Sequence, residues 1–325
     1  MELLDIKDLA VDYNTYRGKL KVLNGVHLTV NEGEKVGVIG ESGCGKTTTM
    51  RTILRILANN AVVDAGEIFF KGKDLLKMSS KEMTDVRRKH ITMIFQDPTA
   101  ALNPVFKVEA QLMDIIRYSG TIKDEKVTKE KLKAKSLSLL KEVALQDPER
   151  VLDSYPFQLS GGMRQRICIA MSLATSGDLL IADEPTTSLD VTIQDQVFRL
   201  MKDLVEKRNL SVILISHALG AVRGTVDRVY VMYAGNMIET AETEQLFTNP
   251  LHPYTQELIK SVPKLTGTGF SEGIKGRIPD YMNPPSGCRF NPRCPYAFDR
   301  CLKEKPRLLG ESGGHQAACW LYDKR

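Results

Sequence analysis

The segment GESGCGKT, residues 40–47, limits the possible folds of this chain more than any other feature of its sequence. It follows the apolar run KVGVI at 35–39 and opens a helical pattern at 47–57. A glycine-rich turn between a buried strand and a helix directs backbone N–H groups toward phosphate oxygens, and the positive end of the helix adds to this attraction. The complete pattern G-x-x-x-x-G-K-T in this context predicts a nucleotide site in an α/β fold.

The residues of this phosphate loop have individual predicted contacts. Lys46 is placed to reach the β- and γ-phosphates of ATP, and the hydroxyl of Thr47 is placed to hold Mg²⁺. We interpret Cys44 as a small filler inside the loop and not as a reactive thiol. The remaining predicted contacts with the nucleotide are Gly40, Ser42, Gly43, Cys44 itself, Gly45 and Thr48.

A second apolar run, LLIADEP at 179–185, ends in two carboxylates. We expect Asp183 to meet Mg²⁺ through water. Glu184 lies on the other side of the pleat and is expected to polarise the attacking water as a general base. The phosphate loop upstream favours this interpretation over a pair of surface acids.

Apolar runs of strand length alternate with helical patterns along the chain, which indicates a mainly parallel sheet in a single ATPase unit. A helical insertion interrupts the sheet, and residues 265–287, which are rich in Gly and Pro, indicate a linker. We predict an ATPase domain over 1–245, with a helical subdomain at about 97–165, and a C-terminal extension over 246–325.

Composition excludes several other classes of protein. No run approaches eighteen apolar residues, so we expect no membrane-spanning helix, and the start MELLDIKDLA does not read as a secretory signal. The net charge is a mild +5. The Lys-rich stretch at 123–135 also carries acidic residues and lacks aromatic neighbours, so we expect a solvated helix face and no nucleic-acid partner.

Residues 159–163, LSGGM, closely resemble the LSGGQ signature of ATP-binding cassette (ABC) proteins, with Met163 in place of the usual glutamine. This resemblance implies the P-loop NTPase fold of an ABC nucleotide-binding domain, with an antiparallel β subdomain and a helical subdomain. It also implies that Ser160, Gly161 and Gly162, at the start of a helix, cap the ATP of a partner subunit. The active unit would then be a head-to-tail dimer with nucleotide between the subunits.

Further segments resemble other motifs of the ABC family, in the family's order. Gln96 in IFQDP resembles the Q-loop glutamine, which touches Mg²⁺ and the attacking water. Asp190 in the SLD segment at 188–190 resembles the D-loop, which runs across the dimer seam. His217 in ISHAL resembles the switch histidine, which contacts the γ-phosphate. The family commonly has Asp after this histidine, whereas Ala218 follows here, which leaves open how the loop is held.

An aromatic residue ahead of the phosphate loop stacks on adenine in this family. Tyr13 is the predicted residue, because the segment VDY ends the first strand as it does in the family. Tyr16 is the alternative.

A narrower resemblance spans the whole chain. The segments FQDPTAALNP (95–104), NPLHPYTQELIKSVP (249–263) and GCRFNPRC resemble the dipeptide, oligopeptide and nickel branch of ABC importers. This implies an ATPase subunit that powers import of di- or oligopeptides from the cytoplasmic face of the cell membrane. Its partners would be two integral membrane permease subunits, a second ATPase subunit that is either homologous or identical, and indirectly an extracytoplasmic peptide-binding protein.

Three alternatives to peptide import stay open. The chain could be an ABC ATPase for nickel or another small solute, a soluble ABC ATPase outside transport, or a redox sensor with the ATPase as its output. The soluble class usually carries two cassettes or long coiled-coil insertions, and neither is visible in this sequence.

Four of the six cysteines form a C-terminal group with the spacing C-x5-C-x6-C-x17-C: Cys288, Cys294, Cys301 and Cys319. The spacing lacks the C-x2–4-C knuckles of zinc sites, whereas a 4Fe–4S cluster requires only four sulfurs that converge from loops. We predict a small C-terminal metal-cluster extension with a 4Fe–4S cluster, with Zn²⁺ and unmetallated thiols as alternatives. Because a linker separates this group from the ATP motifs, we expect loss of a cysteine to spare ATP binding.

Overall fold

The structure is a computed structural model, and it describes residues 1–122, 127–175, 177–187, 189–261, 273–310 and 314–323. The contacts divide the chain into two compact units, one formed by Met1–Lys77 with Ile215–Arg325 and the other by Met78–Leu214. This division differs from the predicted boundary after residue 245, which stays a prediction. Parts of four predicted features lie outside the described residues: Ser188 of SLD, residues 123–126 of the Lys-rich stretch, residues 262–263 of the segment 249–263, and residues 265–272 of the linker.

The first unit begins with a small antiparallel sheet. Its elements in chain order are β1 (Glu2–Thr15), β2 (Gly18–Asn31), β3 (Lys35–Ile39), α1 (Lys46–Ile53), β4 (Ala61–Phe70) and β5 (Lys73–Asp74). The sheet order is β2-β1-β4-β5, and every pair is antiparallel. This sheet agrees with the expected antiparallel β subdomain. The strand β3 and the helix α1 flank the phosphate loop, as the sequence predicts.

The second unit holds most of the helices. Its elements are α2 (Ser80–Lys89), β6 (Ile91–Ile94), α3 (Pro98–Ala101), α4 (Val108–Ser119), α5 (Lys129–Glu142), α6 (Pro148–Asp153), α7 (Gly161–Leu173), β7 (Leu179–Asp183), α8 (Val191–Arg208) and β8 (Ser211–Ile215). The strand order is β8-β7-β6, and β6 runs parallel to β7. All residues of β7 and β8 are buried, which explains their continuous apolar character.

The chain then returns to the first unit. The elements are α9 (Leu219–Arg223), β9 (Arg228–Tyr233), β10 (Asn236–Glu242), α10 (Thr243–Thr248), α11 (Pro253–Lys260), α12 (Asp299–Lys303) and β11 (Gln316–Ala317). The strand order is β11-β10-β9-β3. Only the β3–β9 pair in this part of the sheet is parallel, whereas β9, β10 and β11 pair antiparallel.

The antiparallel β9–β10 and β10–β11 pairs make this sheet mixed. The reason is the hairpin between β9 and β10, where Ala234 and Gly235 both have positive φ, of 43° and 78°. Two successive residues at positive φ form the tight turn that matches strand twist in a hairpin. A Cβ at position 235 would lie 1.9 Å from the carbonyl oxygen of Val22, so only glycine fits there.

The C-terminal extension packs onto the first unit through an aromatic group. Phe290 is 1% exposed, and its ring centroid lies 5.1 Å from that of Tyr233 and 5.5 Å from that of Tyr254. The amide of Ala318 donates to the carbonyl of Ile238, next to the β10–β11 pair. The extension is therefore anchored by an apolar core, although the sequence around its cysteines is poor in apolar residues.

We expect Phe290→Ala to lower the free energy of unfolding of the first unit by about 3–5 kcal/mol, because it removes a buried ring and leaves a cavity. The measurement is thermal and urea unfolding of the full chain, with limited proteolysis to locate the loosened segment. Phe298→Ala is the matched control, since this ring is 43% exposed in the same extension. Equal destabilisation by the two substitutions would contradict the proposed anchor.

Candidate functional site

The phosphate loop is fixed by close backbone approaches. Gly40, Gly43 and Gly45 have φ values of 151°, 78° and 110°, a region that residues with side chains rarely adopt. A Cβ at Gly40 would lie 2.1 Å from the carbonyl oxygen of Met232, and a Cβ at Gly45 would lie 2.7 Å from the Cδ2 atom of Leu23. The loop thus runs directly against β9 and β2, and it leads into the N-terminus of α1.

Lys46 is held by the loop itself. Its Nζ atom donates to the carbonyls of Gly40, at 2.8 Å, and Glu41, at 3.1 Å, and the residue is only 4% exposed. The ammonium group therefore lies beside the loop, where a phosphate would compete with two neutral carbonyls for it. Ser42 and Gly43 are exposed. This geometry does not test whether the loop binds the phosphates of ATP, so that assignment stays a prediction.

Cys44 and the first residues of α1 complete the loop. Cys44 is fully buried, and its carbonyl accepts a hydrogen bond of 2.8 Å from the amide of Gly235. Burial raises the pKa of the Cys44 thiol, although nearby Lys46 opposes the shift, which agrees with a filler and not a nucleophile. Thr47 and Thr48 are half-buried.

In the second unit, the structure brings Gln96 and Glu184 together. The Nε2 atom of Gln96 donates to the Oε2 atom of Glu184 at 2.8 Å, and the hydroxyl of Thr187 donates to the same oxygen at 3.2 Å. Glu184 is 8% exposed and has φ of +48°, a strained conformation that costs roughly 1–3 kcal/mol. Asp183, the last residue of β7, is 2% exposed. The sequence predicted both roles but not this contact.

The signature segment begins helix α7. Ser160 is the N-cap residue, and its hydroxyl accepts a hydrogen bond of 3.3 Å from the amide of Met163. Gly161 and Gly162 form the first turn, whose N–H groups lack acceptors within the helix. A Cβ at Gly162 would come within 3.0 Å of the Cγ2 atom of Ile193. The segment has the form of an anion-binding helix start, and its role stays a prediction.

His217 follows β8 and is exposed. The amide of Ala218 donates to the hydroxyl of Ser216 at 3.0 Å, so a neighbouring serine holds the backbone where the family commonly has an aspartate. Asp190 is the exposed N-cap residue of α8. The predicted roles of His217 and Asp190 are not tested by these positions.

The two candidates for adenine stacking differ in burial. Tyr13 is half-buried in β1, opposite Leu20 of β2. Tyr16 lies in the β1–β2 turn and is 91% exposed. Tyr13 stays the predicted residue.

The C-terminal extension contacts the phosphate loop, which corrects the expectation that the linker keeps the two apart. The guanidinium of Arg293 donates to both carboxylate oxygens of Glu41, at 2.7 and 3.1 Å. The hydroxyl of Tyr281 donates to the carbonyl of Gly43 at 2.7 Å, and the hydroxyl of Tyr254 accepts from the amide of Glu41 at 2.9 Å. The sequence analysis did not predict these three contacts, because the two residues of each pair are separated by more than two hundred positions.

The four C-terminal cysteines line a single cavity. Burial raises the pKa of Cys288 to about 12 and that of Cys319 to about 11, and the neighbouring thiols add to both shifts. Within the part of the chain that the structure describes, no group of three or more His, Cys, Asp or Glu residues is arranged to hold a metal ion. The structure therefore gives no support to the predicted metal centre, and the 4Fe–4S cluster stays a prediction.

Comparison with known proteins identifies the class. Residues 23–187 match the family model described as ABC transporter, and residues 238–301 match the one described as oligopeptide/dipeptide transporter, C-terminal region. The dimeric ATP-binding cassette MJ0796 bound to ADP and Pi has a TM-score of 0.66 at 25% identity, over 74% of this chain and 99% of that chain. The fold is that of an ABC nucleotide-binding domain, with mixed sheets and helices.

Full-length relatives narrow this class. The chain is 44% identical over 322 residues to the oligopeptide transport ATP-binding protein OppD of Bacillus subtilis, covering 98% of this chain and 88% of that protein. It is 44% identical over 326 residues to the dipeptide transport ATP-binding protein DppD of the same organism, covering 100% and 96%. The chain belongs to the family of ABC transporter ATPases that carry the oligopeptide/dipeptide C-terminal region, which confirms the predicted resemblance.

Glu184→Gln tests the general base, since it keeps the size of the side chain and removes its basicity. We expect ATP binding to persist and turnover to fall by about 10²–10⁴-fold, with accumulation of an ATP-stabilised dimer. The measurements are ATP hydrolysis and size-exclusion chromatography with ATP. Glu206→Gln, at an exposed position of α8, is the matched control. Hydrolysis by Glu184→Gln within a few-fold of the wild type would show that Glu184 is not the base.

Proposed function

We propose that this chain is the ATPase subunit of an importer for di- or oligopeptides, attached to the cytoplasmic face of a membrane. The match of residues 238–301 carries this proposal, because the cassette fold alone serves many substrates. Both relatives described above are named as peptide transport ATP-binding proteins. None of the described helices is long and apolar enough to cross a membrane.

The proposed chemistry divides between the two units. In the first unit, Lys46 and the N–H groups of the loop bind the phosphates of ATP, and the hydroxyl of Thr47 would hold Mg²⁺. In the second, the buried carboxylate of Asp183 would bind Mg²⁺ through water, and the ion would supply positive charge for the reaction. Gln96 fixes one oxygen of Glu184 by a hydrogen bond, so the other oxygen can accept the proton of the attacking water.

Dimerisation completes the proposed cycle. Ser160 and the N–H groups at the start of α7 would face the ATP of a second ATPase subunit, which is either homologous or a copy of this chain. ATP binding closes the dimer, hydrolysis reopens it, and these movements drive the permeases. The contact between Gln96 and Glu184 supports this coupling, because the Q-loop glutamine holds the catalytic base directly.

A cavity in the second unit fits the proposed permease contact. It has a volume of about 800 Å³ and lies between α2 and α4. Its lining includes three cations, Arg87, Arg88 and Arg117, and the carboxylate of Asp114, which pairs with Arg117 at 3.2 Å. Ile115 and the ring of Tyr118, which is 59% exposed, add apolar surface. These side chains suit a cytoplasmic segment of a permease that carries apolar residues and a carboxylate.

The sequence positions of α2 and α4 connect this cavity with hydrolysis. Helix α2 leads through β6 toward Gln96, and α4 follows shortly after it. A permease segment that moves the two helices would therefore move the amide that holds Glu184. Peptide movement and ATP hydrolysis would be coupled through this path.

The test of function is transport by the assembled complex. Solubilised membranes should yield this chain together with two integral membrane subunits and a second ATPase subunit, and vesicles with the complex should accumulate labelled di- or oligopeptides when ATP is supplied. The double variant Arg88→Glu, Arg117→Glu should lose the permeases and keep ATP binding, whereas Arg199→Glu, exposed on α8, should lose neither. Accumulation of nickel without peptide, or purification without membrane subunits, would contradict the proposal.

We also propose that the four C-terminal cysteines hold a 4Fe–4S cluster. All four line one cavity. The spacing of the cysteines lacks the C-x2–4-C knuckles of zinc sites, which favours the cluster over Zn²⁺. Its role would be structural, because it would join loops that start at Cys288 and end at Cys319.

Protein purified without oxygen is expected to be brown and to contain about four irons per chain. Replacing Cys294 by Ser should bleach it, whereas Cys168→Ser, at the buried free cysteine of the second unit, should keep the colour. The measurements are visible absorption and metal analysis. Colourless anaerobic protein with one zinc per chain would overturn the cluster assignment.

A further inference from the structure

The ion pair between Arg293 and Glu41 joins the C-terminal extension to the phosphate loop. Both nitrogens of the guanidinium end contact the carboxylate, and this paired geometry is the strongest form of an Arg–carboxylate contact. The side chain of Arg293 is 4% exposed and that of Glu41 is 26% exposed. The pair is therefore largely shielded from solvent, so its loss matters more than the loss of a surface pair.

Arg293 is held on its other sides by the extension. Its Nε atom donates to the carbonyl of Lys275 at 2.8 Å, and its Nη2 atom donates to the carbonyl of Ile274 at 3.0 Å. Its guanidinium carbon lies 5.7 Å from the ring centroid of Tyr233. These contacts fix the position of the guanidinium independently of Glu41, so the extension places a rigid cation beside the loop.

Two tyrosines of the extension contact the same stretch of loop backbone. Tyr281 donates to the carbonyl of Gly43, and its own carbonyl accepts a hydrogen bond from the amide of Lys21 in β2. Tyr254 accepts from the amide of Glu41 and is fully buried. Three side chains from beyond residue 245 thus hold the backbone or side chain of residues 41 and 43.

We propose that Arg293 is a positioning residue for ATP binding, which acts on the phosphate loop through Glu41. The pair has two effects on this site. It restrains the loop in the conformation in which Gly40, Gly43 and Gly45 have positive φ. It also neutralises the carboxylate of Glu41, which would otherwise repel the phosphates from within the loop that binds them. The inference rests on the assignment of residues 40–48 to ATP phosphates.

The first test is the substitution Arg293→Gln in the full chain, with nucleotide affinity measured by competition against a fluorescent ATP analogue. We expect the Kd for ATP to rise about tenfold, because the variant loses a charge-assisted contact and leaves a bare carboxylate in the loop. In the assembled transporter, KM should rise by the same factor with kcat changed by less than about twofold. The Kd of Arg293→Lys for ATP should lie between that of the wild type and that of Arg293→Gln.

The second test separates positioning from a merely structural role. The double variant Glu41→Gln, Arg293→Gln should recover most of the lost affinity, because the unpaired negative charge is gone. Arg223→Gln is the matched control, since Arg223 makes a similar paired contact with Glu244 away from the phosphate loop. It should bind ATP as the wild type does.

Unchanged ATP affinity in Arg293→Gln would overturn the proposal. A double variant as weak as Arg293→Gln, with the extension cleaved rapidly by protease, would also overturn it, because Arg293 would then act only on folding. Failure of the loop assignment itself has a different signature. In that case the wild type and Lys46→Ala would have the same affinity for ATP.

Discussion

The phosphate loop depends on hydrogen bonds and an ion pair that come from distant parts of the chain. Three of its glycines have positive φ, and glycine loses more conformational freedom on folding than any other residue. Contacts from outside the loop offset this cost. The amide of Gly235 binds the carbonyl of Cys44, Tyr281 binds the carbonyl of Gly43, and Arg293 binds the side chain of Glu41. The β9–β10 turn and the C-terminal extension therefore hold the loop together.

This arrangement connects the C-terminal extension with the phosphate loop of its own unit. Phe290 seats the extension among Tyr233 and Tyr254, and the same group of residues leads to the loop through Arg293 and through the hydroxyl of Tyr254. The cysteine cavity lies next to these contacts along the chain, because Cys294 follows Arg293 directly. The extension that matches the oligopeptide/dipeptide transporter C-terminal region thus contacts the phosphate loop.

The sequence predicted features that depend on local pattern. The strand before the loop, the helix after it and the carboxylates at the end of β7 are each encoded within a few residues, and the structure has all of them. The sheet that contains β3 is mixed, because the β9–β10 hairpin adds antiparallel strands beside the parallel β3–β9 pair. The contact between Arg293 and Glu41 was missed, since no local pattern links positions so far apart.

Hydrogen–deuterium exchange of the phosphate loop tests this central dependence most directly. The amides of residues 40–48 would be compared between the full wild-type chain and Tyr281→Phe, which removes only the hydroxyl that binds the carbonyl of Gly43. The account predicts faster exchange in the loop of the variant, with unchanged exchange in the second unit and unchanged thermal stability. Identical exchange in the two loops would show that the C-terminal extension lies against the phosphate loop without holding it.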